Sequence, residues 1–173
     1  MTDAISVWIH VIAVSIWIGP QFFMFIVAIP ALRTVEDARV RARLMRTIVT
    51  RFGWLAWGAM AMTIASGIGN LLVVSDEAPF DLWDRDYRWW GLFTEKMALV
   101  FIVVVLTAIH TLFVGPRQLR LAERLDADPK DLRTLRRWSM ALSGFALLAS
   151  IGAVYFGALL ANHDYSFVFG PRT

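Results

Sequence analysis

Residues 6–25 read SVWIHVIAVSIWIGPQFFMF, and the reading of this stretch decides the fold. Its apolar run extends on either side to about residues 5–32. A hydrocarbon core about 30 Å thick is crossed by about 20 helical residues, so the stretch is long enough for one membrane span. It is too long for the core of a secretion signal, no basic segment leads it, and no small-residue cleavage site follows it. It is therefore read as a retained helix. Two features set it apart from a plain anchor. Gly19-Pro20 falls mid-span, where proline removes a backbone donor and bends the helix. His10 falls one or two turns from the start, with Trp17 and Gln21 behind it, and an imidazole in hydrocarbon needs something to compensate for it.

Three further apolar stretches of spanning length lie near 49–74, 90–115 and 138–162. The chain of 173 residues is 58% hydrophobic and 18% charged, where a soluble domain of this size carries more charge and shorter apolar runs. The expected fold is all-α: a polytopic membrane four-helix bundle forming one domain over residues 1–173. The absence of cysteine excludes disulfides, thiolate metal sites, iron–sulfur clusters and covalent c-type haem attachment. No internal repeat and no low-complexity segment interrupts this reading.

The net charge of +3 conceals an asymmetry. The loops between helices 1 and 2 and between helices 3 and 4 hold thirteen of the seventeen bases against six acids. The opposite side holds the other eight acids, among them Asp76, Glu77, Asp81, Asp84 and Asp86. Basic loops stay in the cytoplasm, so both termini are expected outside it, in a bacterial-type inner membrane. Topology and anionic lipid head groups account for the arginines more simply than nucleic acid does, and membrane lipid is the expected partner. The first basic loop, RTVEDARVRARLMRTIVTR, looks helical and amphipathic and is expected to lie at the interface ahead of helix 2. Trp83, Tyr87, Trp89 and Trp90 in the acidic outer loop suit a membrane–water belt. After helix 3, residues 115–138 read as a helical extension, a turn and a new start, with Asp128 as cap, Pro129 first in the helix and Asp131 in its first turn.

Within the spans the ionisable residues are His10, Lys96 and His110, with Glu95 and His163 nearer the outer interface. Such groups mark function by default. At 1.5 Å per residue His10 lies roughly 9 Å deep, and Lys96 at a similar depth from the outer start of helix 3. His110 is fourteen residues beyond Lys96, hence roughly 21 Å nearer the cytoplasm. Lys96, Val103, Thr107 and His110 share one helical face, expected to look into the bundle. His10, Trp17, Gln21 and Met24 form a stripe on helix 1, and Ser66, Gly67, Gly69 and Asn70 fall at the level of His10 on helix 2. Small residues there allow close packing or leave room for a flat cofactor. Inward histidines, aromatic walls and an apolar slot are what haem b requires, so His10 and His110 are candidate metal ligands, with Lys96, Trp17 and Gly67 as cofactor contacts. Each also has a plainer reading. His10 hydrogen-bonds between helices, Lys96 snorkels or pairs with a propionate, His110 sits near head groups, and the glycines simply pack. Met60 and Met62 are two apart and cannot chelate one copper together. No Ser–His–Asp order, H-E-x-x-H, phosphate loop or acidic metal cage is present.

His10 followed by Trp17-Ile18-Gly19 resembles the opening helix of the copper-resistance protein D family. TRFGWLAWGAMAMTIASGIGN (50–70) is similar to that family's second helix, and FTEKMALVFIVVVLTAIH (93–110) to its third. The same elements occur in the related haem-J-type membrane protoporphyrinogen oxidases. Those carry a histidine two residues before the lysine, where this chain has Thr94. The resemblance covers about residues 6–115. It implies a four-helix membrane unit with haem b binding or copper handling through His10 and Lys96, while His110 matches no position of the pattern.

Four functions follow as expectations. The first is a haem-b-binding membrane protein that passes electrons, working with other subunits of a redox complex or with a second copy of itself. Copper transport or tolerance is the second, a structural membrane subunit without cofactor the third, and protoporphyrinogen oxidation the fourth.

Overall fold

The computed structural model of the chain describes residues 2–124 and 128–169. Four long helices dominate it. Helix α1 runs over Thr2–Phe23, widens into a π-type turn at Met24–Ala28 and continues over Ile29–Arg33. Helix α2 is Ala38–Glu77. Helix α3 runs over Arg88–Ile109, widens at His110–Val114 and continues over Gly115–Glu123. Helix α4 is Pro129–Ala161, and a single turn, α5, follows at His163–Ser166. All four long helices have the length and apolar content to cross a membrane.

Both widened turns have the same cause. Ile29 N–H bonds to Met24 O and Gly115 N–H to His110 O, each one residue before a proline. A proline ring collides with the carbonyl four residues back and offers no donor, and a wider turn relieves both problems. Pro20, by contrast, is carried within the regular part of α1. The bulge therefore lies at Pro30 and not at the Gly19-Pro20 pair that the sequence singles out.

The expected spans are all present, and each lies in a helix longer than itself. The first basic loop is not a separate interfacial helix; residues 38–48 are the opening turns of α2. No glycine or proline occurs between Ala38 and Phe52, and the Asp37 carboxylate caps the start by accepting from Arg39 N at 2.7 Å and Val40 N at 3.3 Å. A helix of 40 residues is about 60 Å long, so α2 extends well beyond a hydrocarbon core. At the other basic loop, Asp128 accepts from Lys130 N at 2.7 Å and Pro129 opens α4, with Asp131 in the first turn, as expected. The turn expected between them falls on residues 125–127, outside the described residues.

The bundle is two helical hairpins. α1 packs along α2 and α3 along α4, while the hairpins touch each other far more sparsely. They meet in a mid-span cluster of Trp17, Ala59, Met60 and Val103, joined by Ile18, Trp57 and Ala149. Val103 is fully buried, so the Lys96–Val103–His110 face of α3 does look inward. On α4 the residues Ser139, Ser143, Ala146, Ser150, Ala153 and Gly157 recur at alternating four- and three-residue steps. A stripe of small side chains lets two membrane helices approach closely. Ser150, fully buried, satisfies its hydroxyl on Ala146 O at 2.7 Å.

The outward faces are apolar and bare: Trp54 is 80% exposed, Phe101 69% and Phe145 65%. Such surfaces suit hydrocarbon and would drive association in water. At the acidic end the loop before α3 folds back on α5. Phe80 stacks on Tyr87 with ring centroids 3.8 Å apart, Arg88 N donates to Val168 O at 3.0 Å, and the Arg88 guanidinium lies over the Tyr165 ring. Of the four aromatics expected in the interfacial belt, Trp83 is exposed but Trp89 is buried, stacked on Phe93 at 4.9 Å. Trp89 belongs to the packing of α3.

Candidate functional site

His10 and Lys96 each lie eight residues from the acidic-side end of their helices, which places them at one level. A glycine makes room for each of them. A Cβ at Gly67 on α2 would stand 3.3 Å from His10 Cε1, and one at Gly157 on α4 would stand 3.6 Å from Lys96 Nζ. Both hairpins thus contribute at this level: α1 and α3 supply the ionisable groups, α2 and α4 the space.

The orientation of the imidazole follows from α2. His10 Nδ1 is 3.0 Å from Ser66 Oγ. The Ser66 hydroxyl has a single proton, and its carbonyl partners are Met62 O at 2.7 Å and Thr63 O at 3.2 Å within its own helix. Where that proton goes to a carbonyl, Oγ accepts from His10 Nδ1–H, and a neutral ring then carries its lone pair on Nε2. Metal-binding histidines characteristically have one nitrogen tied to a neighbour in this way and the other open. On the same face of α2, one turn to either side of Ser66, Thr63 Oγ1 and Asn70 Oδ1 are buried with no hydrogen-bond partner in the protein. Ser6 extends the α1–α2 contact outward, its hydroxyl 3.5 Å from Ser66 O.

The other sequence candidates lie elsewhere. Trp17 is 5% exposed and two turns deeper than His10, in the cluster that joins the hairpins, and its carbonyl accepts from Gln21 Nε2 at 3.2 Å. His110 sits roughly 21 Å from the Lys96 level, at the opening of the widened turn, where its Nε2 is 2.9 Å from Ser139 Oγ on α4. His10 and His110 are thus held by different helices in opposite halves of the bundle and do not share a ligand. No group of three or more His, Cys, Asp or Glu side chains able to hold a metal is found among the described residues. Gly67 is the sequence candidate that His10 does meet. Thr63 escaped sequence reading, although its spacing with Ser66 and Asn70 marks a polar stripe on α2. The partnership of Ser139 with His110 is not legible in the sequence, because it needs the depths of two helices to be matched.

Fold and site together define a class: a multi-pass membrane protein whose two helical hairpins enclose a histidine and a lysine at one level. Within that class, the family model for Copper resistance protein D matches residues 46–156, and the chain belongs to that family. The match takes in Ser66, Gly67, Lys96, His110 and Ser139, and extends into α4, beyond the stretch whose resemblance is visible by eye. His10 and Trp17 lie ahead of it. No curated protein and no solved structure matches the chain.

Proposed function

We propose that the chain is a haem-b-binding membrane protein that passes electrons, in which His10 would hold the haem iron. The observation that carries this reading is the 3.0 Å contact of His10 Nδ1 with Ser66 Oγ, which orients the ring through the nitrogen nearer the backbone. When bound, the haem supplies a one-electron couple within the hydrocarbon. The residues present fit it in three respects. His10 offers one imidazole donor; Lys96 offers a cation at the same level for a propionate; the sparse packing between hairpins is where a flat group would enter. Thr63 Oγ1 and Asn70 Oδ1 add unmet polar atoms to that wall. Ser66 holds the proton on Nδ1, Lys96 balances carboxylate charge, and the apolar helices exclude water.

Copper handling is the second reading, favoured by family membership. Electrostatics weigh against it at His10: an ammonium at the level of the ring repels a bare cuprous ion, whereas a haem brings its own carboxylates. The chain also lacks cysteine, the softest protein ligand for that ion. An oxidase chemistry draws nothing from Thr94, which is exposed and spends its hydroxyl on Trp90 O at 2.8 Å.

The test is an absorption spectrum of detergent-purified protein before and after dithionite, with copper measured on the same sample. A Soret band that sharpens on reduction, with an α band, is the expected result. A colourless protein with stoichiometric copper overturns the haem reading in favour of the second. A colourless protein without copper overturns both.

A further inference from the structure

At the basic end of the bundle, α3 continues past its widened turn as Gly115–Glu123 and carries Arg117 and Arg120 on one face, with Arg124 following at the helix end. The three arginines line a hollow of about 500 Å³ together with Leu112, Phe113 and Leu121. Its residues are graded along the helix axis. Leu112 and Phe113, 61% and 69% exposed, occupy the membrane side, and the arginines follow on the side away from it. None of the six lining residues is acidic. Arg120 Nε donates to Pro116 O at 3.4 Å, which ties that guanidinium back along the helix. A smaller hollow of about 290 Å³ shares Arg117 and Leu121 and is closed on the α4 side by Trp138, with Asp131 as its one carboxylate. Trp138, nine residues into α4, is 63% exposed, and tryptophan is enriched at the head-group level.

We propose that this hollow is a binding site for an anionic diacyl phospholipid, with its phosphate among Arg117, Arg120 and Arg124 and its acyl chains along Leu112 and Phe113. Arginine forks match phosphate oxygens in pairs, and basic clusters beside a membrane helix bind anionic lipids in this way. The apolar half of the site distinguishes a lipid from free phosphate, which has nothing to place against Leu112 and Phe113. This site is independent of the histidine level and stands whatever occupies it.

The test is native mass spectrometry of the full chain in detergent, offered equal amounts of phosphatidylglycerol and phosphatidylcholine. The wild type retains phosphatidylglycerol preferentially, and the preference falls roughly fivefold for each of Arg117→Gln, Arg120→Gln and Arg124→Gln. Arg133→Gln with Arg136→Gln, equally basic positions of α4 outside both hollows, leaves it unchanged. Replacing the three α3 arginines by lysine keeps part of the preference. Leu112→Asn with Phe113→Asn weakens retention of both lipids. The proposal is overturned by an unchanged preference in the triple glutamine variant, by an equal loss in the α4 control, or by displacement of the lipid with millimolar inorganic phosphate.

Discussion

Each hairpin contains one histidine–serine bond, and the two bonds use opposite nitrogens of the ring. In the α1–α2 hairpin, Nδ1 of His10 meets Ser66 at 3.0 Å; in the α3–α4 hairpin, Nε2 of His110 meets Ser139 at 2.9 Å. The residue types and distances are nearly the same, but the consequences differ. Nε2 is the nitrogen farther from the backbone and the one that reaches across a bundle. Tying it to Ser139 makes His110 a crosslink between α3 and α4. Tying Nδ1 instead uses the ring nitrogen nearer the backbone, at the level of Lys96 and about one turn of α2 from two unmet polar atoms. Which nitrogen its neighbour takes thus decides whether a histidine in a membrane helix can still offer Nε2 to a ligand.

The largest effect expected from this comparison is on the histidines themselves. His10→Ala removes the reduced Soret and α bands from the purified protein, whereas His110→Ala keeps them. The loss in His110→Ala is instead of stability, about 0.6 kcal/mol as for other hydrogen bonds between membrane helices, read from the denaturant midpoint of unfolding in detergent. Bands that vanish in His110→Ala and survive in His10→Ala would break the contrast.

The serines come next. Ser66→Ala removes the group that holds the His10 proton, and haem affinity is expected to fall by about 10- to 100-fold, measured by titration of the apoprotein. Ser139→Ala leaves that affinity unaltered. Equal losses in the two variants would mean that the serines serve only to hold helices together.

The smallest effects separate the two glycines. A methyl group at Gly67 meets His10 Cε1 at 3.3 Å, closer than ordinary packing, so Gly67→Ala turns the ring and shifts the Soret maximum. At Gly157 the nearest atom is the end of the flexible Lys96 side chain at 3.6 Å, and Gly157→Ala leaves the spectrum in place.

Much of this arrangement is legible in the amino-acid sequence, because depth along a helix follows from counting. A rise of 1.5 Å per residue places His10 level with Lys96 and His110 far from both. The inward face of α3 is also legible, since Val103 falls on it and is buried. Rotation about the axis and the choice of neighbour are much less so. Lipid-facing positions are as apolar as the core, so periodicity does not tell Phe101, 69% exposed, from Val103, fully buried. For the same reason Trp17 reads equally well as a cofactor wall or as the junction of two hairpins, and the structure places it in the junction. The continuity of α2 through the basic loop was obscured by its arginines, which mark the membrane boundary without ending the helix. Which ring nitrogen of a histidine is tied depends on a rotamer and on the partner's own hydrogen bonds, and no spacing encodes these.

The most direct test of the central claim is the iron–histidine stretching band in the resonance Raman spectrum of the reduced protein. The Nδ1–H bond to Ser66 makes the ligating ring a stronger donor. The band is therefore expected in the wild type and in His110→Ala, at lower frequency in Ser66→Ala, and absent in His10→Ala. A band that is unmoved by Ser66→Ala and survives His10→Ala would show that His10 is not the ligand.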